Sequence, residues 1–374
     1  MKRFIYADNA ATTQLDMDAF EAMKPYLLEE YGNASQPYSF ARTAKKALKN
    51  SRETIAQCIG AEPEEIFFTS GGTESNNWAI KGTAFSGSTK HTFITSVIEH
   101  HAILRPCADI ASMGYPVSYL PVDCTGIVNV GTLSEYINSD TRLVSIMTAN
   151  NEIGSIQNIS ALAAIAHSCG AIFHTDAVQA VGHIEIDVNS LGVDMLSASA
   201  HKFNGPKGIG FLYVRKGTPL MPYASGGGQE HNMRAGTENV ASIVGMATAL
   251  KKNVAAMKDT ASHLALLENR LLVGLSNANI RFLRNGSGMH IPGILSLSFP
   301  GYSGEALLHR LDLMGICVST GSACNSQKTQ ISHVLQAIGL NPELAKGTIR
   351  LSFGRNNSES DVDKIVESLQ QILG

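Results

Sequence analysis

Excess charge of either sign is missing from this 374-residue chain: 29 Lys and Arg stand against 32 Asp and Glu, a formal net charge of −3. It therefore has no basic field to hold a nucleic acid or an anionic membrane surface. No apolar run comes near the ~20 residues that span a bilayer. The opening residues, Met1-Lys2-Arg3-Phe4-Ile5-Tyr6-Ala7-Asp8, have one basic dipeptide and then an acid. They lack the apolar stretch and cleavage site of a secretory leader, so a cytoplasmic location is expected. Cys58, Cys107, Cys124, Cys169, Cys317 and Cys324 form no C-x-x-C pair and no zinc-like spacing, and no metal site is expected. In a reducing compartment they stay thiols, and all but Cys324 are expected to be small buried hydrophobes. Internal repeats and low-complexity tracts are absent as well.

What is present is a core-forming chain, 44% hydrophobic and long enough for two domains. Apolar strands are readable at 66–69, 92–95, 117–120, 143–148, 171–175, 195–198 and 210–214. Helical stretches near 73–83, 100–113, 132–138 and 159–169 separate most of them, after earlier helices over 16–30 and 39–59. This alternation predicts an α/β fold: a mainly parallel seven-stranded sheet flanked by helices. A long helical pattern over about 238–276 leads to a smaller α+β unit with strands at 294–299, 317–319 and 348–353 and helices at 304–314, 332–338 and 359–373. The expected division is a large domain over 15–255 and a small domain made of 1–14 and 256–374.

Sites in parallel sheets lie at the carboxyl ends of strands, and several of these strands end in polar residues. Ser199-Ala200-His201-Lys202 closes an apolar, small-residue strand. A lysine there often just reaches water, but a desolvated one becomes the neutral amine that forms a Schiff base with an aldehyde. Phe173-His174-Thr175-Asp176 delivers a carboxylate to the same rim, either as a helix N-cap or as the partner of a pyridinium nitrogen. Thr69-Ser70-Gly71-Gly72-Thr73-Glu74-Ser75 is strand, glycine turn and helix start, which suits a phosphate and is neither the P-loop nor the G-x-G-x-x-G pattern. Glu99-His100-His101 offers an imidazole that stacks or moves protons, and Asn150-Asn151-Glu152 offers amides. Farther on, Gly321-Ser322-Ala323-Cys324-Asn325-Ser326 is a small, polar loop around one thiol, the setting of a reactive cysteine. Arg350, inside the apolar strand Thr348-Ile349-Arg350-Leu351-Ser352, needs an anion, supplied by a ligand carboxylate or by an internal acid.

Together these residues resemble the cysteine desulfurases, pyridoxal-phosphate enzymes of the class V aminotransferase group, in the NifS/IscS-like branch. The resemblance runs from Ala7-Asp8-Asn9-Ala10-Ala11-Thr12-Thr13 through Gly226-Gly227-Gly228-Gln229-Glu230 and Met233-Arg234-Ala235-Gly236-Thr237 to Arg350. It implies the PLP-dependent transferase fold type I and a cofactor held as a Schiff base on Lys202. Asp176 is expected on the pyridine nitrogen, His100 stacked on the ring, and Gln179 and Asn151 near its phenolic oxygen. Gly72, Thr73, Ser199 and His201 are expected on the phosphate, with Thr237 coming from the partner of a homodimer. The substrate L-cysteine is expected to bind by its carboxylate to Arg350 and Asn33, with Asn151 nearby. Cys324 is expected to carry the sulfur as a persulfide to an acceptor protein serving iron–sulfur cluster assembly, tRNA thiolation or a thio-cofactor. Residues 32–38, Gly-Asn-Ala-Ser-Gln-Pro-Tyr, keep only part of the family's Gly-Asn-Pro-Ser-Ser-x-His. Little sequence follows Arg350, so docking of a scaffold protein through the longer tail of housekeeping members is not expected. The rival readings are a selenocysteine lyase or another class V enzyme, and a non-catalytic sulfur-carrier subunit.

Overall fold

Residues of the central strands that are adjacent in sequence are divided between two apolar layers, as the pleat of a strand requires. Phe67, Phe93, Leu143, Met195 and Leu212 enter one layer, and Phe68, Ile94, Val144, Leu196 and Phe211 the other. The computed structural model describes residues 4–286, 288–320 and 331–374. A short β1 (Ile5–Tyr6) precedes β2 (Ile66–Thr69), β3 (Thr92–Ser96), β4 (Val117–Leu120), β5 (Thr141–Ser145), β6 (Ile172–Asp176), β7 (Met195–Ser199) and β8 (Gly210–Val214). The last seven form one sheet in the order β2-β8-β7-β6-β5-β3-β4. Only β8 runs against its neighbours. The chain steps outward from β3 to β4, then resumes at β5 on the other side of β3 and proceeds toward β8. The order therefore reverses between β3 and β5, where a ligand crevice is expected.

Helices Arg42–Ile59, Ile159–Ser168 and Val240–Ala255 supply one apolar layer, while Trp78, Ile80, Ile103 and Ile110 cover the opposite face. The single long helix expected over 238–276 is two helices, Val240–Ala255 and Met257–Asn277, parted at Ala256 with φ −96° and ψ 5°. No Gly or Pro marks the break. The two halves pack on different layers, the first on helices Met17–Leu28 and Arg42–Ile59 and the second on Glu359–Leu373. Tertiary packing overrides helix propensity here.

The remaining strands are β9 (Leu283–Asn285), β10 (Ile294–Ser298), β11 (Ile316–Cys317) and β12 (Thr348–Ser352). β12-β10-β9 is an antiparallel sheet, and β11 pairs in parallel with β1. The core beneath them takes Ala7 from the N-terminal arm and otherwise residues from Leu264 onward. A separate cluster joins Val334, Leu335 and Ile338 to Ile98, Met147 and Ile153, so the segment after residue 331 docks on the strand-end loops of the large sheet. The expectation of five buried cysteines is corrected: Cys107 is buried, Cys58, Cys169 and Cys317 are half-buried, and Cys124 is exposed. Cys124 lies in the tight turn Asp123–Ile127, whose backbone N–H groups converge on the Asp123 carboxylate at the surface.

Candidate active site

A cavity of about 560 Å³ opens at the carboxyl ends of the parallel strands. Its lining brings together Gly72, Thr73, His100, Asn151, Asp176, Gln179, Ser199, His201, Lys202 and Arg350 from six separate stretches of chain. Asn33 and Thr237 are not part of it. The Asn33 Oδ1 instead accepts the Ser35 N–H at 2.9 Å, closing an Asx turn, and Thr237 is exposed. Cys324 lies outside the described residues.

β7 ends at Ser199 and tightens into a 3₁₀ turn, Ala200–Lys202. That turn aims Lys202 back across the N-terminal arm, where Nζ donates to the carbonyls of Ala10 at 2.5 Å and Ala11 at 2.9 Å. Gln179 Nε2 donates to the same Ala10 carbonyl at 2.9 Å, rather than standing free for a ligand. His201 Nδ1 meets Thr12 Oγ1 at 3.1 Å, and burial together with the nearby Lys202 and Lys207 charges brings its pKa down to about 4. His183 donates from Nε2 to the Lys202 carbonyl and fixes the turn from below.

β6 ends on Asp176, 4% exposed. Its Oδ1 accepts the Val178 N–H at 3.0 Å and its Oδ2 accepts Nδ2 of Asn76 at 2.6 Å. Asn76, not singled out by the sequence, belongs to helix Gly72–Asn77, which starts after Gly71 at φ +144°. Strand β8 passes so close that a Cβ on Gly210 would lie 2.8 Å from the Gly71 Cα; only glycines admit this approach. A Cβ on Gly72 would likewise fall 2.6 Å from Val178 Cγ2.

The loops after β3 and β5 flank the reversal point. His100 caps helix His101–Ser112 by accepting the Ala102 N–H at Nδ1, so the proton of its neutral ring sits on Nε2. Burial holds this ring below the ordinary histidine range; Asp176 opposes the shift, and Lys202 and His101 add to it. Glu99, fully buried, accepts from Ser96 Oγ at 2.6 Å and the Met147 N–H at 2.9 Å. Burial pushes its carboxyl up to about 8, against those two hydrogen bonds.

Arg350 on β12 is also buried. Nη2 meets Asp8 Oδ1 at 2.7 Å and Nη1 donates to the Asn151 carbonyl at 2.8 Å. The internal acid is thus its partner, and Nε has no partner among the described residues. Both flanks of residues 321–330 are tied to this region. Ser319 exchanges backbone hydrogen bonds with Arg350, while Ser332 Oγ donates to Glu152 and His333 Nε2 donates to the Glu99 carbonyl. Glu152 and Glu99 gave no sequence signal beyond being acids next to strand-end Asn and His.

The arrangement places the Lys202 amine, the oriented Asp176 carboxylate, the neutral His100 imidazole and a glycine-floored turn around a single cavity. The description "Aminotransferase class-V" fits residues 5–365. The chain is 48% identical to "Cysteine desulfurase IscS" of Dictyoglomus turgidum, covering 100% of this chain and 95% of that protein. It is 46% identical to the protein of the same name from Methanosarcina thermophila, over 99% and 92%. A solved "NIFS-LIKE PROTEIN" superposes with a TM-score of 0.93 at 38% identity, covering 99% of both chains.

Proposed function

The chain belongs to the class V aminotransferase family, and within it we propose a pyridoxal-phosphate-dependent cysteine desulfurase. It would take sulfur from L-cysteine, release L-alanine and pass the sulfur from a Cys324 persulfide to an acceptor for iron–sulfur cluster assembly or thiolation. The observation that carries this reading is that Lys202 and the buried Asp176 face one cavity.

The residues present fit the cofactor. Asp176 offers an oriented anion to a pyridinium nitrogen, Asn76 Oδ1 is a buried acceptor with no partner among the described residues, and Gly71-Gly72 leaves a floor without side chains. When bound, pyridoxal phosphate supplies an electron sink for bonds broken at the amino acid's Cα. Lys202 would hold it through Nζ, His100 would stack on it, and Gln179 and Asn151 would face its phenolic oxygen. Gly72, Thr73, Ser199 and His201 would bind its phosphate, His201 as a neutral donor at pH 7. Thr237, exposed and away from its own cavity, would reach the site of a second copy, which makes the enzyme a homodimer.

The chain's own groups then do the remaining work. Arg350 grips the substrate carboxylate through donors that Asp8 and Asn151 leave available. Lys202, once its amine is released, takes the proton from Cα at Nζ. Cys324 Sγ, as thiolate, bonds to the substrate sulfur as the Cβ–S bond breaks. The bonding pair stays on carbon, which is reprotonated to alanine. Mass spectrometry of the Cys324 peptide after incubation with cysteine, beside an alanine assay, tests this. A sulfur adduct on Cys324 and alanine that disappears in Cys324→Ala is expected. Alanine release unchanged in Cys324→Ala would transfer the protein to the lyases, and a preparation that takes up no cofactor would end the proposal.

A further inference from the structure

Asn76 is only 1% exposed, yet it lines the cavity beside Asp176, His100 and Lys202. Its Nδ2 reaches Asp176 Oδ2 at 2.6 Å, a charge-assisted contact at the short end of the range. Oδ1 of the same amide is buried and has no partner among the described residues. With the Val178 N–H on Oδ1 of Asp176, each carboxylate oxygen has one donor. The hydrogen bond also spans two elements, linking the end of β6 to the helix whose first residues are Gly72 and Thr73.

We infer that Asn76 is a positioning residue that keeps the Asp176 carboxylate anionic and aimed, and thereby holds the proton on the ring nitrogen of the bound cofactor. This rests on the reading that Asp176 faces that nitrogen. A buried carboxylate that loses a donor becomes more basic, so Asp176 would compete for the ring proton instead of stabilising it. Other charged and titratable groups face Asp176 from the neighbouring elements. They are Glu99 and His100 after β3, Lys202, His201 and Lys207 after β7, Arg350 on β12, and Glu74 on the helix of Asn76, which is paired with Arg234 at 2.9 Å. The Asp176 charge raises the Glu99 carboxyl and favours protonation of His100, whereas Lys202 opposes it at His100. Asn76 adds a donor that does not titrate, so this contact persists when those neighbours change charge.

The test compares the cofactor-loaded wild-type protein with Asn76→Leu and Asn76→Asp. The readouts are the absorbance of bound pyridoxal phosphate against pH and the rate of cofactor release into a scavenger. Asn76→Leu removes the donor at every pH. Its absorbance titration should shift, and release should be about tenfold faster throughout, the scale of one hydrogen bond to a charged group. Asn76→Asp places two carboxyls within hydrogen-bond distance, so ionising the second is costly and is deferred to higher pH. Protonated, the new side chain donates as asparagine does; ionised, it repels Asp176. Release from Asn76→Asp should therefore match wild type at acid pH and accelerate as pH rises. Its acid-pH behaviour also shows that the variant is folded. Absorbance and release that match wild type in both variants overturn the inference, and so does an Asn76→Asp release rate with no dependence on pH. A wild-type protein that takes up no cofactor overturns instead the reading of Asp176 on which the inference rests.

Discussion

The pair Asp8–Arg350 joins residues 342 positions apart and can be weighed by a double-mutant cycle. Arg350 is 5% exposed in its side chain and Asp8 19%, with 2.7 Å between Nη2 and Oδ1. At an effective dielectric of 20, two unit charges about 4 Å apart attract by about 4 kcal/mol. Desolvation offsets much of that attraction, but breaking a buried pair one-sidedly still costs about 3–5 kcal/mol because an uncompensated charge is left behind. Asp8 retains some access to water, so the lower end applies. Asp8→Ala and Arg350→Met should each lose about 3 kcal/mol, the first leaving a buried cation and the second an anion. The double variant leaves neither and should lose about 3–4 kcal/mol rather than the sum, a coupling of about 2–3 kcal/mol. Urea titrations at one fixed cofactor concentration give the three differences. Losses that add to within about 0.5 kcal/mol would refute the pairing as an energetic unit.

Glu99→Gln keeps an acceptor for Ser96 and Met147 and abolishes the titration. Burial pushes the folded Glu99 carboxyl up to about 8 from an ordinary value near 4.5. The folded state therefore binds the extra proton across that window, and wild-type stability falls as pH rises through it. The variant's melting temperature should exceed that of wild type by a margin that grows from about pH 4.5 to about pH 8 and then levels off; an offset constant across that window would contradict this. Lys202→Ala should abolish the cofactor's Schiff-base absorbance and, by removing two hydrogen bonds to the arm, cost the cofactor-free protein about 1–3 kcal/mol, read from its urea midpoint. Gly72→Ala should reduce the cofactor retained through desalting, because its Cβ would fall 2.6 Å from Val178 Cγ2, and Val178→Ala in the same chain should restore it.

The central sheet was legible because each strand is a short apolar run whose neighbours alternate between two cores, and period is a local property. The strand-end chemistry was legible for the same reason: Lys202, Asp176, His100 and the glycine turn each stand next to a strand they terminate. Partnerships were not. Asp8 meets Arg350, and Asn76 meets Asp176, only because the chain folds. Asn76 looks like any residue of a short helix until β6 is laid beside it. The break at Ala256 is equally silent, since nothing local stops a helix there and two separate cores pull its halves apart. Asn33 and Thr237 were expected in a cavity to which their own chain does not bring them, and a second copy is the arrangement that would reconcile Thr237 with it.

The N-terminal arm ties the two sheets together. Ala7 and Asn9 bond to Ser352 of β12, while Ala10 and Ala11 receive the amine of Lys202. Whatever captures that amine must strip donors from two main-chain oxygens of a strap anchored at its other end beside Arg350. Loading of the site would then register some distance away, as a change in the tension between the two halves of the molecule. Deuterium uptake along residues 7–13 becomes a gauge of occupancy that needs neither colour nor turnover.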